Sequence, residues 1–179
     1  VAFDDFIEEY EKAYTKNKII TTQKKIAKQG KISSLDSYRL EPNSMQVSFI
    51  HHLRKIYEAG EKKALLISAT GTGKTYASAF AMREMGFQRV LFLVHRSQIA
   101  KQAMESFRKV MGGSVSLGMV TGKNLDYEKD YIFATVQTMS KDHVLEKYRK
   151  TAFDAIVIDE AHHSSASSYK KVLDYFTPK

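Results

Sequence analysis

The chain has 179 residues, 43% of them hydrophobic, a length that suits one domain with an additional helical segment and a composition that excludes wholesale disorder. Cysteine is absent, which excludes disulfides and thiolate metal sites and fits a reducing, cytoplasmic setting; no apolar run approaches the roughly 20 residues a membrane helix needs. The net charge of +8, from 28 Lys and Arg against 20 Asp and Glu, favours a phosphate-rich partner such as DNA or RNA.

Residues 1–37 differ from the rest. Phe3, Phe6, Ile7, Tyr10 and Tyr14 fall at helical spacing above an acidic face of Asp4, Asp5, Glu8, Glu9 and Glu11. The charge then reverses at Lys16, Lys18, Lys24, Lys25, Lys28 and Lys31, a run that reads first as a solvated helix face and second as a phosphate grip. Val1 in place of an initiator Met and the sparse apolar periodicity predict a helical connector from something upstream.

Pro42 is expected to open the next helix, with Val47, Ile50, Leu53, Ile56 and Tyr57 as its apolar stripe and Gly60 at its end. From Ala64 the pattern alternates. Strands are predicted at 65–67, 90–94, 115–120, 131–134 and 155–158. Helices are predicted at 74–85, 97–110, shortly after Gln137, and at 167–176. Continuous apolar strands alternating with helices predict an α/β fold, a mostly parallel sheet covered by helices on both faces.

The run from Ser68 to Thr75, Ser-Ala-Thr-Gly-Thr-Gly-Lys-Thr, follows a predicted strand and opens a predicted helix. That is the context of a phosphate loop. Glycines let successive N–H groups turn inward onto phosphate oxygens, and the helix N-terminus adds partial positive charge. Thr70, Gly71, Thr72 and Gly73 are assigned to the cradle, Lys74 to the β- and γ-phosphates, and Thr75 to Mg²⁺ through its hydroxyl. Ser68 stands where the common pattern has glycine.

The predicted strand at 155–158 ends in Asp159-Glu160-Ala161-His162. Alone, this is an ordinary acidic turn. In open α/β sheets, however, ligands bind at the carboxyl ends of strands, so the two carboxylates emerge beside the phosphate loop if the two strands are neighbours. Asp159 then suits the Mg²⁺ and Glu160 suits polarising the attacking water. His162 and His163 have no cysteine or further carboxylate–histidine cluster near them, which argues against zinc. His51, His52, His95 and His143 read as surface or helix residues.

Residues 69–75 and Asp159-Glu160-Ala161-His162 resemble motifs I and II of superfamily 2 helicases, which tolerate a residue other than glycine at the Ser68 position. Gln46 resembles the adenine-reading glutamine, with Arg39 and Leu40 flanking the base. Val94-His95-Arg96-Ser97-Gln98-Ile99-Ala100 resembles motif Ia, Thr121-Gly122 resembles motif Ib, and the run from Phe133 to Thr138 resembles the segment before motif II that faces nucleic acid. The resemblance covers about 38–179. With His162 and Val94-His95-Arg96 it is nearest to the type III restriction-subunit group of DEAH proteins, some bacterial members of which carry an upstream phospholipase-D-like nuclease domain.

What the resemblance implies is a RecA-like domain over 38–179, a P-loop NTPase fold, as the ATP-binding half of an ATP-dependent DNA helicase or translocase. Its cofactors are ATP and Mg²⁺. Arg96, Thr121, Gly122, Thr135 and Gln137 face the nucleic acid, and His162 takes the coupling role. A second RecA-like domain supplies the arginine fingers, so this chain alone is expected to bind nucleotide weakly and unwind nothing. A small-molecule kinase using the same loop, and a non-enzymatic nucleotide-sensing domain that binds nucleic acid, remain the alternatives. The residue types leave three further alternatives open: Arg96 as a plain helix-start residue, Thr135 as an N-cap, and Gln46 as a first-turn glutamine.

Overall fold

The computed structural model describes residues 40–67, 73–159 and 167–178. The expected connector at 1–37, Arg39, the loop residues Ser68, Ala69, Thr70, Gly71 and Thr72, and Glu160, His162 and His163 lie outside the described residues.

The first element, α1 (Ser44–Glu58), begins later than Pro42 predicts. Asn43 is the N-cap. Its Oδ1 accepts from Gln46 N at 3.0 Å, and Gln46 Oε1 accepts from Asn43 N at 2.9 Å. This reciprocal capping box satisfies two N–H groups that no helical carbonyl reaches, so it sets the start of the helix in place of the proline two residues before Ser44. Ile50 carries the stripe of α1 into the core.

The predicted strand at 65–67 is unpaired chain. Leu65 is 69% exposed and Ile67 85% exposed. Leu65, Leu66 and Ile67 line an open hollow with Met45, Ser48, Phe49 and His52 of α1 instead of entering the sheet. Three apolar residues form too few ladder bonds to hold strand geometry without a partner, and the charged Glu61-Lys62-Lys63 before them lengthens nothing.

The remaining elements follow in the expected order: α2 (Lys74–Glu84), β1 (Val90–Val94), α3 (Ser97–Met111), β2 (Leu117–Val120), β3 (Tyr131–Thr135), α4 (Val136–Met139), α5 (Asp142–Leu145), β4 (Ala155–Ile158) and α6 (Ser167–Tyr175). The strand at 115–120 is shortened at its start. Ser116 N and Oγ both donate to Asp130 Oδ2, at 2.8 and 2.7 Å, while Ser116 O still accepts from Tyr131 N at 3.0 Å, so Ser116 joins β3 partly through a side chain. The helix expected after Gln137 begins one residue before it and contains it.

Among the described residues the sheet has four strands in the order β2-β3-β1-β4, all parallel. Val94 pairs with Thr135, and Leu93 pairs with Ile158. Alternation along each strand divides the core into two layers. Val90, Phe92, Val94, Tyr131 and Phe133 point to α1, α2 and α3, where Phe107 meets Phe92, Phe133 and Tyr131 edge-on at 5.1 to 6.1 Å between ring centroids. Leu91, Leu93, Ile132 and Ala134 point to α4, α5 and α6. Helices thus cover both faces, as the unbroken apolar runs of β1 and β3 require.

The two lateral edges differ. Beyond β2 the chain doubles back, with Thr121 N bonded to Asn124 O at 2.8 Å and Asp126 N to Met119 O at 3.0 Å. That closes the ladder of a strand which would otherwise present free groups. Beyond β4 no described strand pairs, and its four residues are only half-buried.

Candidate nucleotide and nucleic-acid site

Gly73 is the N-cap of α2, with φ 83° and ψ 36°. That left-handed conformation is open to glycine and costs other residues roughly 1 kcal/mol or more. Lys74 and Thr75 are the first two helical residues, both half-buried, and among the described residues no side chain caps the helix. The N-terminus of α2 presents a positive dipole end, which favours an anion.

Topology fixes where this end lies. The other end of α2 enters β1 through residues 85–89, and both elements are about 16 Å long, so Lys74 lies toward the carboxyl edge of the sheet. Asp159 leaves β4 at the same edge. Its backbone N donates to Leu93 O at 3.1 Å, and by alternation after Ala155 and Val157 it belongs to the face that carries α2. The condition set by the sequence, that the strand before the loop neighbours the acidic strand, is not met. The described partner of β4 is β1, and 65–67 is unpaired.

Gln46 is buried, at 5% exposed. Its Oε1 is held by the capping box, while its Nε2 lies 3.3 Å from where a Cβ on Gly73 would stand. The first-turn capping role is therefore present, and the amide donor is turned to the base of the loop. Asn43 was not singled out by the sequence reading; Asn43-x-x-Gln46 ahead of an apolar stripe is its signal. Arg83 was not singled out either. Its Nη1 donates to Leu40 O at 2.9 Å and Val110 O at 3.3 Å, and its guanidinium lies 5.0 Å from the centre of the Phe80 ring. It fastens the segment before Gln46 to α2 and α3. A lone Arg in a helix gives no sequence sign of such a role.

The residues expected to face nucleic acid separate into two groups. Arg96, Gly122 and Gln137 are exposed. Arg96 occupies the N-cap position of α3 with no side-chain cap bond. Gly122 has no positive φ and open space around it, so the backbone does not require glycine there. Thr121 and Thr135 are buried, at 3% and 7% exposed, so their hydroxyls are not surface contacts. Thr135 is at the N-cap position of α4, but its hydroxyl donates to Thr138 Oγ1 at 3.0 Å and caps nothing.

At the opposite, amino edge of the sheet several side chains are bonded to backbone groups, while the buried Arg89 Nε has no partner among the described residues. Asp154 Oδ2 accepts from Gln88 N at 2.8 Å and Arg89 N at 3.0 Å. The Tyr131 hydroxyl donates to Phe87 O at 2.7 Å, and burial, with Asp154 and Asp130 nearby, pushes it up to about 12. Asp130 is held below the usual carboxylate range by the backbone and side-chain bonds from Ser116.

Residues 39–179 match the family described as "Type III restriction enzyme, res subunit". The chain belongs to that family. A Saccharomyces cerevisiae protein named "Putative ATP-dependent helicase IRC3" is 35% identical over 128 residues, 65% of this chain and 18% of its own. The Escherichia coli "Type I restriction enzyme EcoAI endonuclease subunit" is 30% identical over 148 residues, 76% of this chain and 18% of its own. This res-subunit chain thus spans less than a fifth of either relative. In fold it is similar to a nuclease-deletion mutant of the type ISP restriction-modification enzyme LlaGI in complex with a DNA substrate mimic. The TM-score is 0.56 at 21% identity, over 75% of this chain and 16% of that one. Among the described residues no helix is long and apolar enough to cross a membrane.

Proposed function

We propose that this chain is the ATP-binding half of a DEAH-box, ATP-driven translocase or helicase acting on DNA. The observation that carries the reading is the glycine-capped N-terminus of α2. Gly73 holds a left-handed cap and Lys74 follows at once, and they share the carboxyl edge of the sheet with Asp159. A kinase or a passive sensor could use the same loop. The family match and the helicase and restriction names of the relatives favour the motor.

The residues fit Mg²⁺ and ATP. An uncapped helix end, a lysine, a threonine and a carboxylate are hard, oxygen-directed and anion-directed groups. When bound, ATP supplies the anhydride whose cleavage drives movement. In this reading Lys74 and the N–H groups of 70–75 hold the phosphates, Thr75 and Asp159 hold the ion, and Glu160 polarises water. Gln46 offers its Nε2 to the base, and Arg96, Gly122 and Gln137 meet the strand. His162 couples the two sites. Residues 1–37 serve as a connector from an upstream domain, of the phospholipase-D-like nuclease kind in the nearest resemblance, and a second RecA-like domain completes the ATP site.

The test is ATP hydrolysis by a protein in which this chain is joined to that second domain, with and without DNA. Hydrolysis stimulated by DNA and abolished by Asp159→Asn is expected. Turnover indifferent to DNA, or to Asp159→Asn, would remove the motor reading.

A further inference from the structure

His95 is the first residue past β1, and Gln137 is the second residue of α4. They are 42 positions apart in the chain, yet Gln137 Nε2 lies 3.1 Å from His95 Nδ1. The register explains the meeting. Val94 pairs with Thr135, so β1 and β3 end level. Leu91 and Leu93 face the layer of α4 to α6, and the next residue of that parity is His95. An amide nitrogen only donates. Nδ1 therefore accepts in this bond, which places the ring hydrogen on Nε2.

Two connections that the chain does not otherwise join are linked by this bond. One carries Arg96 from β1 into α3, in extended backbone at φ −124° and ψ 139°. The other carries Gln137 on α4, a helix of four residues that cannot hold itself and is anchored by buried Val136, Thr138 and Met139. Gln137 is the exposed residue among these three buried ones. An unrestrained glutamine at such a place would lose rotamer freedom on meeting a ligand, and a side chain already held loses less.

We propose that His95 is a positioning residue. It holds Gln137 at the carboxyl edge of the sheet, where Arg96 is also exposed, so that both side chains are available to a single-stranded nucleic-acid backbone. This rests on the reading of the carboxyl edge as the nucleic-acid face. In this arrangement Arg96 provides the charge and Gln137 provides the oriented amide. His95 reaches the strand through Gln137 alone.

The test is fluorescence anisotropy of a labelled single-stranded oligonucleotide titrated with this chain over a range of salt. His95→Ala and Gln137→Ala are each expected to weaken binding about fivefold, the scale of one hydrogen bond. The double variant is expected to be no weaker than either single, because both remove the same arrangement. His95→Asn, which keeps an acceptor near the Nδ1 position, restores most of the affinity. The salt slope is unchanged in His95→Ala but falls by roughly 0.7 in Arg96→Ala, which removes a charge on phosphate. Imidazole ¹⁵N resonances report the Nε2–H tautomer in the wild type and lose that bias in Gln137→Ala. Wild-type affinity in His95→Ala, additive losses in the double variant, or a reduced salt slope in His95→Ala would each overturn the positioning role while Arg96→Ala and Gln137→Ala still uphold the face. No binding of the oligonucleotide by the wild-type chain would overturn both.

Discussion

The two ends of the parallel sheet are built for opposite purposes. At the amino edge, carboxylates and a tyrosine hydroxyl are spent on backbone groups: Asp154 on Gln88 and Arg89, Asp130 on Ser116, Tyr131 on Phe87. At the carboxyl edge the helix cap is a bare Gly73, Arg96 caps nothing, and Gln137 is tied to a histidine rather than to the backbone. The same strands pass through both ends, so the difference lies in the loops. One end turns carboxylates and a hydroxyl onto backbone groups, and the other leaves Arg96 and Gln137 exposed, as the proposed nucleic-acid contact would need.

Substitutions sharpen this contrast. The shared core sets the upper scale: Phe107→Ala, at the centre of the aromatic layer, is expected to cost about 3–5 kcal/mol in denaturant unfolding. At the amino edge, Asp154→Ala removes the acceptor of two backbone N–H groups and is expected to cost about 2 kcal/mol. Asp130→Asn is expected to cost about 1 kcal/mol at neutral pH, the carboxylate being only partly buried. It has a pH signature as well. The folded-state carboxyl of Asp130 is depressed, so its stabilisation is present above the unfolded value near 3.9 and is lost as pH falls through the lower folded value. The acid unfolding limb of Asp130→Asn should therefore be shallower than that of the wild type. The smallest effect on stability is expected at the carboxyl edge, where His95→Ala should stay within about 0.5 kcal/mol of wild type. A drop of 2 kcal/mol in His95→Ala, or none in Asp154→Ala, would break the contrast between the two ends.

Much of this was legible from the residues. Val90–Val94 and Ala155–Ile158 are unbroken apolar runs, and a run of that kind needs cover on both faces whatever surrounds it. The helix at Ser97–Met111 declares itself by its stripe. The helix that starts at Lys74 behind Gly73 was legible from a local pattern. What failed depended on distant partners. Leu65-Leu66-Ile67 has the composition of a strand but finds no partner among the described residues. The amide and hydroxyl of Ser116 turn to the side chain of Asp130, 14 residues away. Thr121 and Thr135 carry hydroxyls suited to a phosphate, and only packing reveals that they are enclosed. His95 is a surface histidine, as it read, but nothing within reach in the chain announces its bond to Gln137. The start of α1 was legible in Asn43-x-x-Gln46, but the proline beside it gave the louder signal.

The central claim is that the bare end of α2 receives nucleotide phosphates. It is tested most directly by titrating a fluorescent ADP analogue with Mg²⁺ into this chain and into Lys74→Ala. A loss of affinity of about 10–100-fold in the variant, the worth of one charged bond to phosphate, is the predicted result. Equal binding by the two proteins would place the nucleotide elsewhere and contradict the account.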